Sequence, residues 1–149
     1  MLSQTTVHAI RAFIYLATIQ SDSFVGATHL AKTIDAPTNY LSKVLQQLTH
    51  QGLLESQRGA GGGIRLAKPA ATITLFDIAE PIERVSTQAK CFMNKLCCGA
   101  RPCRHHADWT KLHTDFLNFL KKVNIEDLVK QNQVDHDRFM MPGIRKDED

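Results

Sequence analysis

The stretch Cys91-Phe-Met-Asn-Lys-Leu-Cys-Cys-Gly-Ala-Arg-Pro-Cys-Arg-His-His106 contains all four cysteines of this chain. Cys91, Cys97 and Cys103 are evenly spaced, with five residues between neighbours, and His106 follows Cys103 by three. Cys98 is an extra thiol beside Cys97. Thiolates are the usual ligands of iron–sulfur clusters, and imidazole replaces thiolate on iron in some of them. Four thiols equally suit a [4Fe–4S] centre, in which case Cys98 replaces Cys97 or His106. Zinc also takes cysteine and histidine, although structural zinc sites show closer ligand pairs. A metal-free thiol switch is a further reading, and disulfides are another. Inert buried cysteines have no reason to gather in a polar loop that also holds Gly99 and Pro102. His105 reads as solvated, and His29, His50, His113 and His136 as surface or core histidines.

The elements that must position these residues follow from length and patterning. With 149 residues and 43% hydrophobic content, the chain can bury a proper core without disulfides. No run of 18 apolar residues is present, so no membrane span is expected. Ala9 to Ile19 is apolar but carries Arg11, and it lacks a basic leader and a cleavage site. It is not expected to be a signal peptide, and the expected location is cytoplasmic. There, clustered cysteines favour metal or redox chemistry over structural disulfides. The net charge is +3, and residues 1–72 hold six Lys/Arg against three Asp/Glu while residues 73–149 hold twelve of each. The positive excess therefore sits in the first half, compatible with a nucleic-acid face.

Val7, Ile10, Ile14 and Ala17 predict an amphipathic helix over Thr6 to Gln20. A short second helix is expected from Ala27 to Ile34. Asp35-Ala-Pro37 breaks it, and Thr38 is the expected N-cap of a third helix that buries Leu41, Leu45 and Leu48 and stops at Gly52. Leu53–Arg58 and Ile64–Leu66, joined by Gly59-Ala-Gly-Gly-Gly63, read as a β-hairpin. A helix is expected from Thr74 to Glu83. Trp109, Leu112, Phe116, Phe119 and Val123 then form a heptad-like seam over Asp108 to Val123, widened by Leu117 and Leu120, and such a face calls for a partner. Ile125 to Val129 suggests one more short helix. The expected fold is mainly α with a small β-hairpin wing. Its divisions are 1–72, a winged helix-turn-helix; 73–132, a short helix, the cysteine loop and a long dimerisation helix; and 133–149, a flexible tail.

This order suits DNA, because a helix fits the major groove and its first turns reach base edges. Thr38, Asn39, Tyr40, Ser42 and Lys43 are the candidate reading residues. Asn can bond adenine twice, Ser can donate or accept, Lys can reach guanine or phosphate, and Tyr can meet a phosphate or a thymine methyl. At the wing, glycines such as Gly61 allow close backbone approach to phosphate, and Arg58 and Arg65 are placed to enter a minor groove. The glycines are not a P-loop, since no Gly-Lys-Ser/Thr follows. Nor are they a dinucleotide fingerprint, because Ile64 stands where the last glycine belongs. No catalytic constellation is visible, and neither an enzyme nor a small-molecule substrate is expected. A protein-interaction module with a zinc-stabilised loop is the competing reading.

Arg11-Ala-Phe-Ile-Tyr-Leu-Ala17, Leu41 to Leu54, Arg58-Gly-Ala-Gly-Gly-Gly-Ile-Arg-Leu-Ala-Lys-Pro69 and the cysteine loop resemble the IscR/NsrR-type regulators of the Rrf2 family, over residues 5 to 132. The resemblance implies a bacterial homodimeric transcription regulator that binds a double-stranded operator. It also implies an iron–sulfur cluster whose state controls DNA binding, and a long helix that crosses its counterpart. The IscR variant implies a [2Fe–2S] centre, favoured over [4Fe–4S], on Cys91, Cys97, Cys103 and His106, and Ala107-Asp-Trp109 supports that alignment. NsrR-type relatives use an N-terminal carboxylate; Val7 stands there in this chain, with His8 beside it as a reserve ligand. The IscR member carries Glu where Ser42 stands, which implies a relaxed base preference here.

Overall fold

The computed structural model describes residues 2–19, 23–87 and 103–134. The expectations for Cys91, Cys97, Cys98 and the tail beyond Val134 lie outside the described residues. The elements in order are α1 (Gln4–Ile19), α2 (Ala27–Thr33), α3 (Thr38–His50), β1 (Leu54–Gln57), β2 (Gly63–Leu66), a 3-10 turn (Ala70–Thr72), α4 (Leu75–Glu83), α5 (His106–Lys122) and α6 (Ile125–Val134). The architecture is the mostly helical, hairpin-bearing one that the sequence predicts.

α1 begins where Ser3 Oγ accepts from the Thr6 amide at 3.3 Å, satisfying one of the free N–H groups of the first turn. Its core face is Ala9, Ala12, Phe13, Ile14 and Leu16, whereas Val7, Ile10 and Ala17 are only half-buried. The expected stripe is thus rotated. The reason is that α1 packs against α3, α4, α6 and β2 at once, and helices approach most closely over small side chains such as Ala9 and Ala12. α3 starts one residue differently from expectation. Pro37, not Thr38, is the N-cap, its φ of −61° preset by the ring. The Pro37 carbonyl accepts from the Leu41 amide at 2.9 Å and closes the first turn. Gly52 does end α3: at φ +70° it lets Leu53 N–H reach the Leu48 carbonyl (3.1 Å) and its own N–H reach Thr49 (2.9 Å), a Schellman stop.

The hairpin pairs Leu54 with Leu66, Glu55 with Arg65, Ser56 with Ile64 and Gln57 with Gly63. Leu54 and Ile64 point into the core. Val25, just before α2, bridges Ile64 through two 2.9 Å backbone bonds, which fixes the wing to the helical body. Thr74 is the N-cap of α4 rather than its first residue, in a capping box with Asp77. The α4 start is knitted to the α5–α6 junction by Leu75 N–H to Val123 (3.0 Å) and Ile125 N–H to Ile73 (2.9 Å).

α5 begins at His106, two residues before the expected Asp108, and α6 runs to Val134 instead of Val129. The α5 seam also differs from a single stripe. His113 and Leu120 are buried against the body, while Leu112 and Phe119 are 62% and 55% exposed. The helix has one apolar side packed against its own chain and another that faces away from it.

Candidate nucleic-acid interface and cysteine segment

Burial of Leu41, Val44, Leu45 and Leu48 fixes the rotation of α3 about its axis. Asn39, Tyr40 and Lys43 are left exposed, and Thr38 and Ser42 half-buried. The face expected to read DNA is therefore outward. Two of its hydroxyls already have partners. Ser42 Oγ donates to the Thr38 carbonyl at 2.8 Å, and the Tyr40 phenol is hydrogen-bonded to Thr5 of α1. Ser42 keeps its lone pairs as acceptors, so it suits a base-edge donor better than an acceptor. Two turns beyond Tyr40 on the same side of α3, Gln47 Nε2 donates to the Pro81 carbonyl of α4.

At the wing, Arg58 and Gly59 to Gly61 are exposed. Gly61 adopts φ +76°, a left-handed conformation that suits a residue without Cβ. Arg65 is placed differently from Arg58. Its guanidinium pairs with Glu55 at 2.8 Å and lies 4.7 Å over the ring of Phe24. Arg58 is the arginine presented at the tip, while Arg65 is engaged on the hairpin face.

In the cysteine segment, Cys103 is exposed. One turn on, His106 opens α5, and its N–H donates to the Cys103 carbonyl at 3.0 Å. His106 Nδ1 is buried and lacks a hydrogen-bond partner among the described residues. A buried ring nitrogen left unpaired is destabilising by about 1–3 kcal/mol, and coordination of a metal removes that penalty. A cysteine sulfur and an unpartnered imidazole nitrogen one turn apart therefore fit an iron–sulfur centre with mixed ligands. His8 is half-buried on α1. Among the described residues no group of three His, Cys, Asp or Glu is assembled.

Several contacts were invisible to sequence reasoning. Thr5, Glu55 and Phe24 each hold a candidate DNA-binding side chain. Only Glu55 left a signal, since hairpin register places it opposite Arg65. His113, read from sequence as an ordinary core or surface histidine, is buried with Nε2 3.0 Å from the Val85 carbonyl.

Comparison with known proteins bears on all of this. Residues 2–131 match the Rrf2 family model, described as an iron-dependent transcriptional regulator. Protein aau3 of Rhizobium meliloti (strain 1021) is 34% identical over 131 residues, covering 87% of this chain and 84% of that one. CymR, the global cysteine regulator of B. subtilis, superposes with a TM-score of 0.73 at 22% identity, covering 88% of this chain and 97% of that one. IscR of T. potens superposes with a TM-score of 0.71 at 22% identity, covering 88% and 87%. At these identities the two structures speak to fold.

Proposed function

This chain belongs to the Rrf2 family of transcriptional regulators, and from that premise we propose that it is a homodimeric operator-binding protein whose affinity depends on an iron–sulfur cluster. The observation that carries the reading is the buried, unpartnered Nδ1 of His106 one turn beyond Cys103. Cys91, Cys97, Cys103 and His106 are the proposed ligands of a [2Fe–2S] centre, with Cys98 the alternative that would favour [4Fe–4S] and His8 in reserve. When bound, such a centre supplies iron that responds to redox state, nitric oxide or cluster supply.

The chain's own residues do the rest. α3 enters the major groove with Thr38, Asn39, Tyr40, Ser42 and Lys43 along its first two turns, and Arg58 and Gly61 form the main wing contacts, with Arg65, held by Glu55, contributing less. Leu112 and Phe119, exposed on α5, meet their counterparts in a second copy. Reading helices in such a dimer must lie about one DNA turn, ~34 Å, apart. Cys103 and His106 stand at the head of the same helix, so the way they are held bears directly on that spacing. Among the described residues no helix is long and apolar enough to cross a membrane.

The test is anaerobic purification of the full chain, with visible absorbance and iron, sulfide and zinc content. Coloured protein containing iron and sulfide, whose affinity for its own promoter region changes when the iron is removed, supports the reading. Colourless zinc-loaded protein overturns it in favour of a structural zinc loop.

A further inference from the structure

The last turn of α4 and the two residues after it, Pro81 to Val85, touch three other helices. Gln47 of α3 donates to the Pro81 carbonyl, one of the carbonyls that a helix end leaves without a partner. Glu83 accepts at Oε1 from the Ser3 amide (3.1 Å), from Ser3 Oγ (3.2 Å) and from the Thr6 hydroxyl of α1. Arg84 closes the helix in the left-handed region at φ 51°, a strained setting for a non-glycine residue. Val85 is buried, and its carbonyl is held at 3.0 Å by His113 of α5. A carbonyl only accepts, so His113 carries its proton on Nε2. The imidazole is itself wedged between Trp109 and Phe116, with ring centroids 6.3 and 6.5 Å away.

The position of this turn in the chain gives it a second meaning. Val85 precedes Cys91 by six residues, and His113 follows His106 by seven. The His113–Val85 bond thus ties together the two chain ends that flank the whole cysteine segment. Seven residues are two helical turns, so His113 and His106 lie on the same side of α5. A displacement of the head of α5 bears on Val85, and Val85 is joined through one helical turn to the carbonyl that Gln47 grips.

We infer that the Pro81–Val85 turn is the mechanical link between the ligand-bearing head of α5 and the DNA-reading helix α3, with His113 and Gln47 as its positioning residues. This rests on the regulatory reading above for its purpose, but not for its existence. Neither is among the proposed DNA-reading or metal-ligating residues; each acts by holding a carbonyl of the Pro81–Val85 turn. A packed turn with two arrangements transmits a shift as a change in equilibrium, which is the form a physical coupling takes.

The experiment has two arms on the full-length chain. In the first, hydrogen–deuterium exchange is measured on iron-free, DNA-free protein. His113→Phe, which keeps an aromatic ring but removes the donor, is expected to speed exchange both at residues 85–87 and along residues 44–50 of α3. His113→Gln, which restores a donor at similar reach, is expected to return both towards wild type. Gln47→Met is expected to speed α3 alone, and the double variant to be no faster there than Gln47→Met. Loosening at 85–87 with α3 unchanged, or additive effects in the double variant, overturns the link.

In the second arm, affinity for a duplex enriched from a randomised pool is measured with iron-loaded and iron-stripped protein. Couplings of this kind are about 5–150-fold. His113→Phe and Gln47→Met are each expected to pull the loaded-to-stripped ratio towards one by about fivefold or more, with iron content unchanged. Gln47 is exposed, so its substitution leaves the fold intact, and a wild-type ratio in Gln47→Met alone overturns the proposal. Should wild-type protein hold no iron, the regulatory reading falls and the exchange arm still decides the link.

Discussion

Glu55 and Arg65 stand opposite each other in the register of the hairpin, and their side chains form an ion pair at 2.8 Å. Both are partly exposed, at 48% and 37%, so the pair stabilises the fold by only about 0–1 kcal/mol. Its consequence lies in where charge is placed, because it keeps the Arg65 guanidinium on the hairpin face and leaves Arg58 at the tip. Arg58→Ala should therefore weaken operator binding and lower the slope of log affinity against log salt by about one. Arg65→Ala should change the slope much less. Fluorescence anisotropy over a salt series separates the two, and equal effects would place both guanidiniums on phosphates.

The attachment of the wing gives a second prediction. A Cβ added at Gly63 meets the Val25 carbonyl oxygen at 2.2 Å and the Gly26 nitrogen at 2.8 Å, and both are backbone atoms with nowhere to move. Gly63→Ala should destabilise the protein by about 1–3 kcal/mol and detach the wing from α2. At Gly61 a Cβ meets nothing within 4 Å, so Gly61→Ala carries only the strain of a positive φ, about 1 kcal/mol. Urea unfolding ranks the two. A smaller loss at Gly63 than at Gly61 would mean that the Val25–Ile64 bridge does not persist in solution.

What the sequence made legible, and what it hid, follows one division. Leu41, Leu45 and Leu48 fixed the orientation of α3, Gly52 marked its stop, and the glycine run between two short apolar segments marked the hairpin. These are local signals, carried by spacing of three or four residues or by a conformation that one residue type prefers. The side of α1 was misjudged because periodicity weighs large side chains, whereas Ala9 and Ala12 mark the closest helix approach. On α5 the pattern showed that the helix is apolar but could not divide that surface between Leu120, which is buried, and Phe119, which is exposed. Thr5 with Tyr40, Gln47 with Pro81 and His113 with Val85 are long-range pairs. Their members look like ordinary polar residues until the fold brings them together.

That division of α5 is itself testable. Leu112 and Phe119 are largely exposed on their own chain, so Leu112→Asp or Phe119→Asp should convert a dimer to a monomer in sedimentation and lower the unfolding midpoint only by what dimerisation contributes, removing its dependence on protein concentration. Leu120 is fully buried, and Leu120→Ala should lower stability by about 2–5 kcal/mol through lost burial and a residual cavity. A dimer that survives both Asp substitutions would assign the interface to another surface.

Anaerobic single substitutions test the ligand set. Cys91→Ala, Cys97→Ala and Cys103→Ala should each abolish iron-dependent visible absorbance, and Cys98→Ala should retain it. His106→Cys should retain iron while lowering the reduction potential, because an anionic thiolate in place of a neutral imidazole favours the oxidised centre. Loss of absorbance in Cys98→Ala alone would reassign the fourth ligand.

The orphaned nitrogen of His106 makes a prediction that needs no iron. In metal-free protein its buried Nδ1 lacks a partner among the described residues, and an unpaired buried polar atom is destabilising by about 1–3 kcal/mol. Replacing the imidazole with an apolar side chain of similar size removes that penalty. His106→Leu should therefore raise the stability of iron-free protein by about 1 kcal/mol, read as a higher urea midpoint with an unchanged slope. The same substitution should abolish iron retention in protein purified under anaerobic conditions. A residue that weakens the empty protein and is needed by the loaded one is what a ligand looks like. If His106→Leu instead lowers the midpoint of iron-free protein, Nδ1 is already satisfied within the chain, and His106 is a structural residue of the α5 head.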